Sequence, residues 1–260
     1  MWRGCYDIHW AICHGALIIE VTRDGVNYIS QPFGGIDEDL PKILATLREY
    51  FQGSSFQMIA ILEEGKARLE KFLPEITEYQ DDRDNWDYVY LQEKLASLSG
   101  RKYHGKKNHA NAFRKDYPDY VYEQITEDNL AECFAFFDKW CERRQAEDSS
   151  IGCEFCAIKE ALGNRKVLGI QGGLIRIGGQ IEACTFGEKL NEDTALIHVE
   201  KANPDIRGLY TVINQDFVNN AWSEVKYINR EEDMGKDGLR KAKESYNPEF
   251  MVKKYLAVIK

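Results

Sequence analysis

The fold is decided by a stretch in the last third of the chain, which begins with the apolar run TALIHVEKA, Thr194–Ala202. This run leads into the turn NPDIRG (203–208) and then into a helical pattern. A second apolar run, EVKYI (224–228), opens onto the polar cluster NREED (229–233). The order strand, turn, helix, strand places a helix N-terminus and several ionisable groups at the ends of neighbouring strands, where open sheets bind ligands.

The rest of the chain alternates between strand and helix patterns. Asp24-Gly25 and Gly178-Gly179 each separate two apolar runs, which predicts two hairpins. Apolar side chains that recur at i, i+3, i+4 and i+7 predict helices. The predicted helices cover 37–51, 64–73, 88–98, 126–141 and 153–162, and further strands cover 56–62 and 120–124. Because Tyr117-Pro118-Asp119 interrupts these patterns, we expect two similar α+β domains, residues 1–116 and 117–260.

The composition is typical of a protein in a reducing, aqueous compartment. No apolar run approaches the ~18 residues that cross a membrane, and the start shows no signal-peptide pattern. A net charge of −9 argues against coating of nucleic acid by the whole surface but is compatible with a local basic patch. Seven scattered cysteines, with one C-x-x-C at 153–156, favour buried or incidental thiols over a metal site. We expect a cytoplasmic protein without a metal.

A basic segment, residues 101–115, lies just before the predicted boundary. It contains no acidic residue, although the chain as a whole is acidic. Such clustering can bind phosphate groups, carried by a substrate or by tRNA, and a solvated helix face is the alternative. The residues expected to contact nucleic acid are Arg101, Lys102, Lys106, Lys107, His109 and Arg114.

The strand Thr194–Ala202 carries two candidate bases. Acyl transfer to an amine or hydroxyl requires the acceptor to lose a proton, and a general base contributes roughly 10²–10⁴-fold. Alternation along the strand predicts that His198 and Glu200 share the less apolar face. His198 is equally compatible with a half-buried structural histidine. A carboxylate in the middle of a strand needs a partner, for which Arg230 or Lys201 is a candidate.

The cluster 229–233 can bind both charged ends of a small substrate. Glu231 or Asp233 suits an amino group, Arg230 suits a carboxylate or phosphate, and Asn229 adds hydrogen bonding. An ordinary polar loop that leads to Gly235 is the alternative.

The last predicted helix adds two cations and a tyrosine. Arg240 and Lys243 are three residues apart, so they share a helix face and can present two charges to one phosphate or carboxylate. Tyr246 can donate a proton to a leaving group, and packing at the end of the helix, before Asn247-Pro248, is its alternative role.

Four stretches together resemble one known family: SGRKYHGKKNH (99–109), HVEKAN (198–203), YINREED (227–233) and LRKAKESYNP (239–248). It is a bacterial family related to the C-terminal domain of phosphatidylglycerol lysyltransferases. The resemblance extends from about Trp2 to the C-terminus and implies two tandem GNAT-like N-acyltransferase domains, a fold also seen in Fem-type transferases that use aminoacyl-tRNA. It also implies an additional N-terminal helix, so we expect the chain to begin inside the usual N-terminal region of the family.

The resemblance also carries expectations about the site. It implies that Thr194–Ala202 splays from the strand 224–228 to form a substrate cleft. In ordinary acetyltransferases of this fold, a turn Arg/Gln-x-x-Gly-x-Gly/Ala and the helix N-terminus that follows bind the coenzyme A pyrophosphate. Here only Arg207 and Gly208 are kept, and Tyr210 and Val212 stand where glycine is needed. Acyl-CoA is therefore a disfavoured cofactor, and a charged tRNA is the expected donor.

Three functions are open from the sequence. The first is transfer of an aminoacyl group from aminoacyl-tRNA to an amine or hydroxyl of a small-molecule, lipid or peptide acceptor. The second is an acyl-CoA-dependent N-acyltransferase with an atypical pyrophosphate loop. The third is a non-catalytic ligand-binding protein on the same fold. In an enzyme, the expected catalytic residues are Glu200, His198, Glu231 and Tyr246.

Overall fold

The structure is a computed structural model that describes residues 1–23, 25–145 and 151–260. The predicted turn residue Asp24 and the side chain of Cys153 lie outside the described part. The strands are β1 (Asp7–Cys13), β2 (Ala16–Arg23), β3 (Val26–Ser30), β4 (Phe33–Gly34), β5 (Phe56–Leu62), β6 (Tyr79–Asp81), β7 (Asp87–Leu91), β8 (Val121–Gln124), β9 (Gln171–Ile177), β10 (Gln180–Lys189), β11 (Thr194–Ala202), β12 (Tyr227–Asn229), β13 (Phe250–Val252) and β14 (Lys254–Ile259).

The helices complete the element order. They are α1 (Leu40–Tyr50), α2 (Glu63–Phe72), α3 (Gln92–Ser97), α4 (His104–Asp116), α5 (Leu130–Gln145), α6 (Ile151–Gly163), α7 (Arg165–Leu168), α8 (Leu209–Ala221) and α9 (Asp237–Glu244). In the described ranges, none of them is both long and apolar enough to cross a membrane.

The chain divides into two compact units. The first unit comprises Met1–Cys5, Asp87–Glu231 and Asp237–Met251. It is built on the sheet β13-β7-β12-β11-β10-β9-β8, in which β11 and β12 run parallel while β12–β7, β10–β11, β10–β9 and β8–β9 are antiparallel. One core contains residues of α3, α4 and α8, and a second core contains residues of α5 and α6. Helices therefore cover both faces of this sheet.

The second unit comprises Tyr6–Trp86, Glu232–Lys236 and Val252–Lys260. Its sheet has the order β1-β2-β3-β5-β14-β6, with β4 paired to β2, and its one parallel pair among the described strands is β3–β5. Apolar side chains of α1 and α2 pack into the core of this sheet. The molecule is thus an α+β protein with two mixed sheets flanked by helices.

This division differs from the predicted boundary after residue 116. Strand β7 pairs with β12, so the chain enters the first unit at Asp87, well before the basic segment. Strand β14 pairs with β5 and β6, so the last residues of the chain belong to the second unit. The assignment of β7 to the first unit and of β14 to the second unit depends on pairing between segments far apart in sequence, which local patterns do not encode.

Most predicted elements near the site are present, with two corrections. The predicted helix at 88–98 is a strand, β7, followed by the short helix α3. Tyr88, Val89 and Tyr90 are all buried because β7 is a central strand with both faces covered, so its apolar residues matched the helical period by coincidence. The helix expected to begin at Thr126 begins at Leu130, and Asn129 instead accepts a hydrogen bond from the Thr126 amide.

Candidate active site

Strand β11 has an open edge beside a cluster of polar side chains. It pairs with β12 over only three residues, Thr194 to Leu196, and then continues to Ala202 paired with β10 alone. Among the described strands, none pairs with the β12 side of residues 197–202. The two strands therefore part where the splayed cleft was expected.

A β-bulge at His198 sets the orientation of the residues along this edge. Ile197 pairs with Gly187 and Val199 with Phe186, so His198 is an extra residue without a partner on β10. A bulge reverses the alternation of side chains beyond it. Glu200 accordingly contacts α8, on one face of the sheet. The ring of His198 lies 6.2 Å from the ring of Phe186, which belongs to the core on the other face, together with residues of α5 and α6. The prediction that His198 and Glu200 share one face is wrong.

Glu200 forms a buried ion pair with Arg230. Its Oε1 accepts a hydrogen bond from Arg230 Nη2 at 2.9 Å, and its Oε2 accepts one from Asn214 Nδ2, on α8, at 2.8 Å. The two charged side chains are 10% and 13% exposed. Burial disfavours the charge of Arg230, but the carboxylate of Glu200 together with the hydroxyls of Tyr90 and Tyr246 outweighs this effect and raises the pKa of Arg230. Both oxygens of Glu200 are engaged, so the pair is a fixed charged anchor at the open edge.

Two cations contact the ring of Tyr246 next to this pair. The guanidinium carbon of Arg230 lies 4.8 Å from the ring centroid, and Lys106 Nζ, from α4, lies 3.9 Å from it. Burial, together with repulsion from Arg230, lowers the pKa of Lys106 to about 8, while the charge of Glu200 opposes this shift. Tyr246 itself is buried, and its hydroxyl lies 3.4 Å from Thr211 Oγ1. Its ring is therefore a platform for cations, and burial raises the pKa of its hydroxyl.

His198 lies between two carboxylates. Its Nδ1 is 2.8 Å from Glu231 Oε1, and its Nε2 is 3.2 Å from Glu188 Oε1. Burial opposes protonation, but the hydrogen bonds and charges of Glu231 and Glu188 prevail and raise the pKa of His198. Because only an imidazolium donates from both nitrogens, this geometry favours the charged ring. The cluster then carries a net charge of about −1 and suits a cationic group of a ligand.

Asn229 and Lys243 hold the backbone of this cluster. Glu231 has a left-handed conformation, with φ of 56°, and its amide donates to Asn229 Oδ1 at 2.8 Å. Lys243 is 8% exposed and donates from Nζ to the carbonyl oxygens of Arg230 and Glu231, the latter at 3.0 Å. The backbone carbonyl of Lys243 in turn accepts from the Tyr90 hydroxyl at 2.8 Å. Asn229 and Lys243 therefore position the charged side chains that face the edge.

Two predicted site residues, Lys201 and Asp233, pair with residues outside the clusters described above. Lys201 pairs with Glu154 at 2.8 Å, on the side of the sheet that α6 covers. Asp233 belongs to the second unit, where it is buried and pairs with Arg83 at 3.0 Å. Arg207 is exposed in the turn before α8, and Arg240 is half-buried on α9.

Gly208 lies directly against the backbone of α4. Its φ is 84°, and a Cβ added there would overlap the carbonyl oxygen of His109 and lie 3.1 Å from both the carbonyl carbon of His109 and Phe113 Cβ. The glycine is thus required for close packing of α4 on the first turn of α8. The His109 carbonyl, a hydrogen-bond acceptor, thus lies directly beside the turn that precedes α8.

The basic segment is not a uniform surface. Arg101, Lys102, Lys107 and the side chain of His109 are exposed. Lys106 turns inward to the cluster just described. Arg114 is also directed inward, where it donates to Tyr120, Gln215 and, at 2.9 Å, to Asp216. The segment therefore combines an exposed basic face with one inward cation at the site.

Sequence reasoning missed three members of the site, Glu188, Asn214 and Thr211. Glu188 lies on β10, the strand paired with β11, and the register of that pairing could have indicated that Glu188 is close to His198. Asn214 and Thr211 are buried polar residues on the apolar face of α8, a pattern that marks a polar contact. Within the described residues, no group of three His, Cys, Asp or Glu side chains could hold a metal ion.

The fold and the open edge define an acyltransferase-like protein. The chain belongs to the phosphatidylglycerol lysyltransferase C-terminal family, whose profile matches residues 1–258. A protein from Mycoplasmoides gallisepticum, described only as uncharacterised, is 28% identical over an alignment of 182 residues, and the match covers 66% of this chain and 56% of that protein. The chain thus spans little more than half the length of this relative.

Solved structures show the same architecture. A conserved protein of unknown function from Bacteroides thetaiotaomicron is 37% identical with a TM-score of 0.92, covering 100% of this chain and 88% of that one. The C-terminal domain of a protein described as a lysylphosphatidylglycerol synthetase from Agrobacterium fabrum is 13% identical with a TM-score of 0.65, covering 97% and 83%. A tandem GNAT protein from the clavulanic acid biosynthesis pathway is 10% identical with a TM-score of 0.53, covering 94% and 78%. The predicted family and tandem GNAT-like fold are confirmed.

Proposed function

We propose that this protein transfers an aminoacyl group from aminoacyl-tRNA to an amine or hydroxyl acceptor at the open edge of β11. The single observation that carries the proposal is the packing of α4 on the first turn of α8. This packing places a backbone acceptor, the His109 carbonyl, beside Gly208, from which we infer that the turn disfavours a coenzyme A pyrophosphate. It also brings Lys106 of the basic segment to the residues at the same edge. Membership of a family named for lysyl transfer supports a donor of this kind.

The reaction would convert an ester into an amide or a new ester. The nitrogen or oxygen of the acceptor attacks the carbonyl carbon of the aminoacyl group, and the bond from that carbon to the ribose oxygen breaks. The proton lost by the acceptor ends on the released ribose hydroxyl. Alignment of the two reactants alone is worth about 7–11 kcal/mol, which a fixed, charged cleft can supply.

The charged clusters divide these tasks in the proposal. Glu231 and Glu188 bind the ammonium of the aminoacyl group or of an amine acceptor, and Glu231 receives the proton that the acceptor loses. His198 keeps Glu231 oriented through its 2.8 Å bond. The buried pair of Arg230 and Glu200 lies at the same edge as a fixed anchor for a polar group of the donor.

The test is transfer of label from a charged tRNA pool. The protein is incubated with total radiolabelled aminoacyl-tRNA and, in separate reactions, with phosphatidylglycerol vesicles or a deproteinised metabolite extract, and label is followed out of the tRNA fraction. We expect Glu231→Gln to reduce transfer by about 10²–10⁴-fold, the range for loss of a general base. The control is Glu192→Gln, an exposed position in the β10–β11 turn, which should leave the rate unchanged.

Two further measurements separate the competing functions. Binding of tRNA in a filter assay should weaken steeply as salt rises, since phosphate contacts release counterions. A thermal shift with millimolar coenzyme A or acetyl-coenzyme A would instead favour an acyl-CoA transferase. Absence of both transfer and salt-dependent tRNA binding would rule out the proposed function.

A further inference from the structure

Lys106 lies on the inward face of α4 and shares the nearby carboxylate of Glu200 with Arg230 instead of forming an ion pair of its own. The residues three before, four after and seven after it, Tyr103, Ala110 and Phe113, are buried, so Lys106 belongs to the stripe that packs into the first unit. Its Nζ lies over the ring of Tyr246. In the parts of the chain that the structure describes, no carboxylate lies within 4.0 Å of this nitrogen.

Arg230 leaves a second donor unsatisfied at the same place. Its Nη2 bonds to Glu200, whereas its Nη1 is buried without a hydrogen-bond partner among the described residues. Arg230 and Lys106 contact the same tyrosine ring and share one carboxylate. A buried donor without an acceptor is unfavourable, and two cations beside one anion leave a local excess of positive charge.

This imbalance is local to the two residues. Other inward-facing basic side chains of the first unit have acceptors: these are Arg114 with Asp216, Arg176 with Glu123, Lys201 with Glu154, and Lys243 with two backbone carbonyls. Those buried cations of the first unit therefore have acceptors within the protein. The excess of positive charge at Lys106 and Arg230 indicates a binding place for an external anion.

The titration of Lys106 agrees with such a site. Burial and the charge of Arg230 lower its pKa to about 8, so near that pH a large fraction of the side chain is uncharged. An anion bound between the two cations would favour the protonated form and raise this pKa. Binding of the anion would therefore take up a proton at Lys106.

We propose that Lys106 and Arg230 together bind a phosphodiester oxyanion at the 3′ end of the RNA acyl donor, an inference that rests on the function proposed above. The exposed Arg101, Lys102 and Lys107 belong to the same basic segment as Lys106, so an RNA backbone that follows this surface leads to the inward lysine. The phosphodiester then fixes the aminoacyl ester beside the open edge of β11.

Competitive labelling of lysines tests this binding without any need for activity. Wild-type protein is treated with trace acetic anhydride across a pH series, with and without the trinucleotide CCA, and the acetylation of each lysine is read by mass spectrometry. Lys106 should titrate near pH 8 alone, and CCA should raise its pKa and slow its acetylation about tenfold at pH 8. Lys139, an exposed lysine on α5 to which no role in binding RNA is assigned, is the internal reference and should not change.

A matched pair of variants measures the contribution of the charge. Lys106→Gln should weaken the affinity for CCA about tenfold, the effect of losing one charge-assisted hydrogen bond, and should reduce the salt slope by about one. Lys139→Gln removes an exposed charge from α5, outside the basic segment, and should change the affinity for the trinucleotide less than twofold. Circular dichroism of both variants checks that α4 and α5 remain folded.

The outcomes separate this inference from the proposed function. If aminoacyl-tRNA is a donor but CCA leaves the acetylation of Lys106 unchanged, the phosphodiester site is wrong and the function stands. Protection of Lys106 by phosphatidylglycerol vesicles but not by CCA would also overturn the RNA assignment, in favour of a lipid phosphodiester. Protection by CCA in a protein that transfers no aminoacyl group would support the site while the proposed function fails.

Discussion

Replacement of Gly208 by alanine tests the packing of α4 on the first turn of α8, on which the proposed function rests. The new Cβ would occupy a residue with φ of 84° and overlap the carbonyl oxygen of His109. A left-handed conformation costs a non-glycine residue about 1–2 kcal/mol, and overpacking against a backbone that cannot retreat costs about 1–3 kcal/mol. The two contributions predict a loss of about 2–5 kcal/mol in the free energy of unfolding of the first unit.

Two other glycines separate these contributions. Gly179, in the β9–β10 turn, has a φ of 81° with no atom near its added Cβ, so Gly179→Ala should lose only about 1–2 kcal/mol. Gly238, in α9, has no positive φ and no atom within 4 Å of its added Cβ. Gly238→Ala should therefore leave the free energy of unfolding unchanged or raise it by up to about 1 kcal/mol. The assay is hydrogen exchange of α8 amides in increasing urea, which reports the opening of this unit. If Gly208→Ala costs no more than Gly179→Ala, α4 does not abut the first turn of α8 and the argument against coenzyme A fails.

Three further predictions concern the charged clusters. Lys243→Met should lower the free energy of unfolding by about 2–6 kcal/mol in urea titrations because two buried carbonyls lose their donor; the exposed Lys241→Met should stay within about 0.5 kcal/mol, and equal effects would contradict the buried role. Because the folded-state pKa of His198 is raised, the stabilisation that its charged ring provides is complete below about pH 6.5 and is lost as pH rises through that pKa. The difference in free energy of unfolding between wild type and His198→Asn should therefore shrink from pH 6 to pH 9, and a difference that becomes larger would refute the raised pKa. Glu200→Gln should cost about 3–5 kcal/mol by leaving Arg230 buried and uncompensated, and adding Arg230→Met should recover much of this in a double-mutant cycle, whereas simple additivity would argue against the pair.

Local signals in the sequence were sufficient for the elements that build the cleft. The strand Thr194–Ala202 was predicted with the bounds that the structure gives, because its apolar run and the turn after it are both short-range features. The helix predicted at 88–98 was wrong in its first part, since β7 is buried on both faces and strands of this kind lack alternation. Its pairing with β12 depends on residues more than a hundred positions away.

The site was harder to predict than the fold because it depends on register and on the inward side of helices. A one-residue bulge at His198 leaves no mark in the sequence, yet it sends Glu200 to the opposite face of the sheet. Lys106 was grouped with surface lysines because its basic neighbours in sequence gave no indication of its inward direction. Asp233 stands two residues beyond Glu231 but belongs to the other unit, which composition alone does not reveal.

The placement of β14 has a consequence for the synthesis of the protein. This strand lies inside its sheet, between β5 and β6, and it is formed by the last residues of the chain. On the ribosome, residues 6–86 emerge before β14 and cannot complete their sheet until residues 254–259 have also emerged. A product that stops short of Lys254 would expose the paired edges of β5 and β6, which are templates for aggregation. A chain that lacks β14 therefore holds an unfinished second unit rather than a folded fragment, and that unit needs protection by chaperones until β14 has been made.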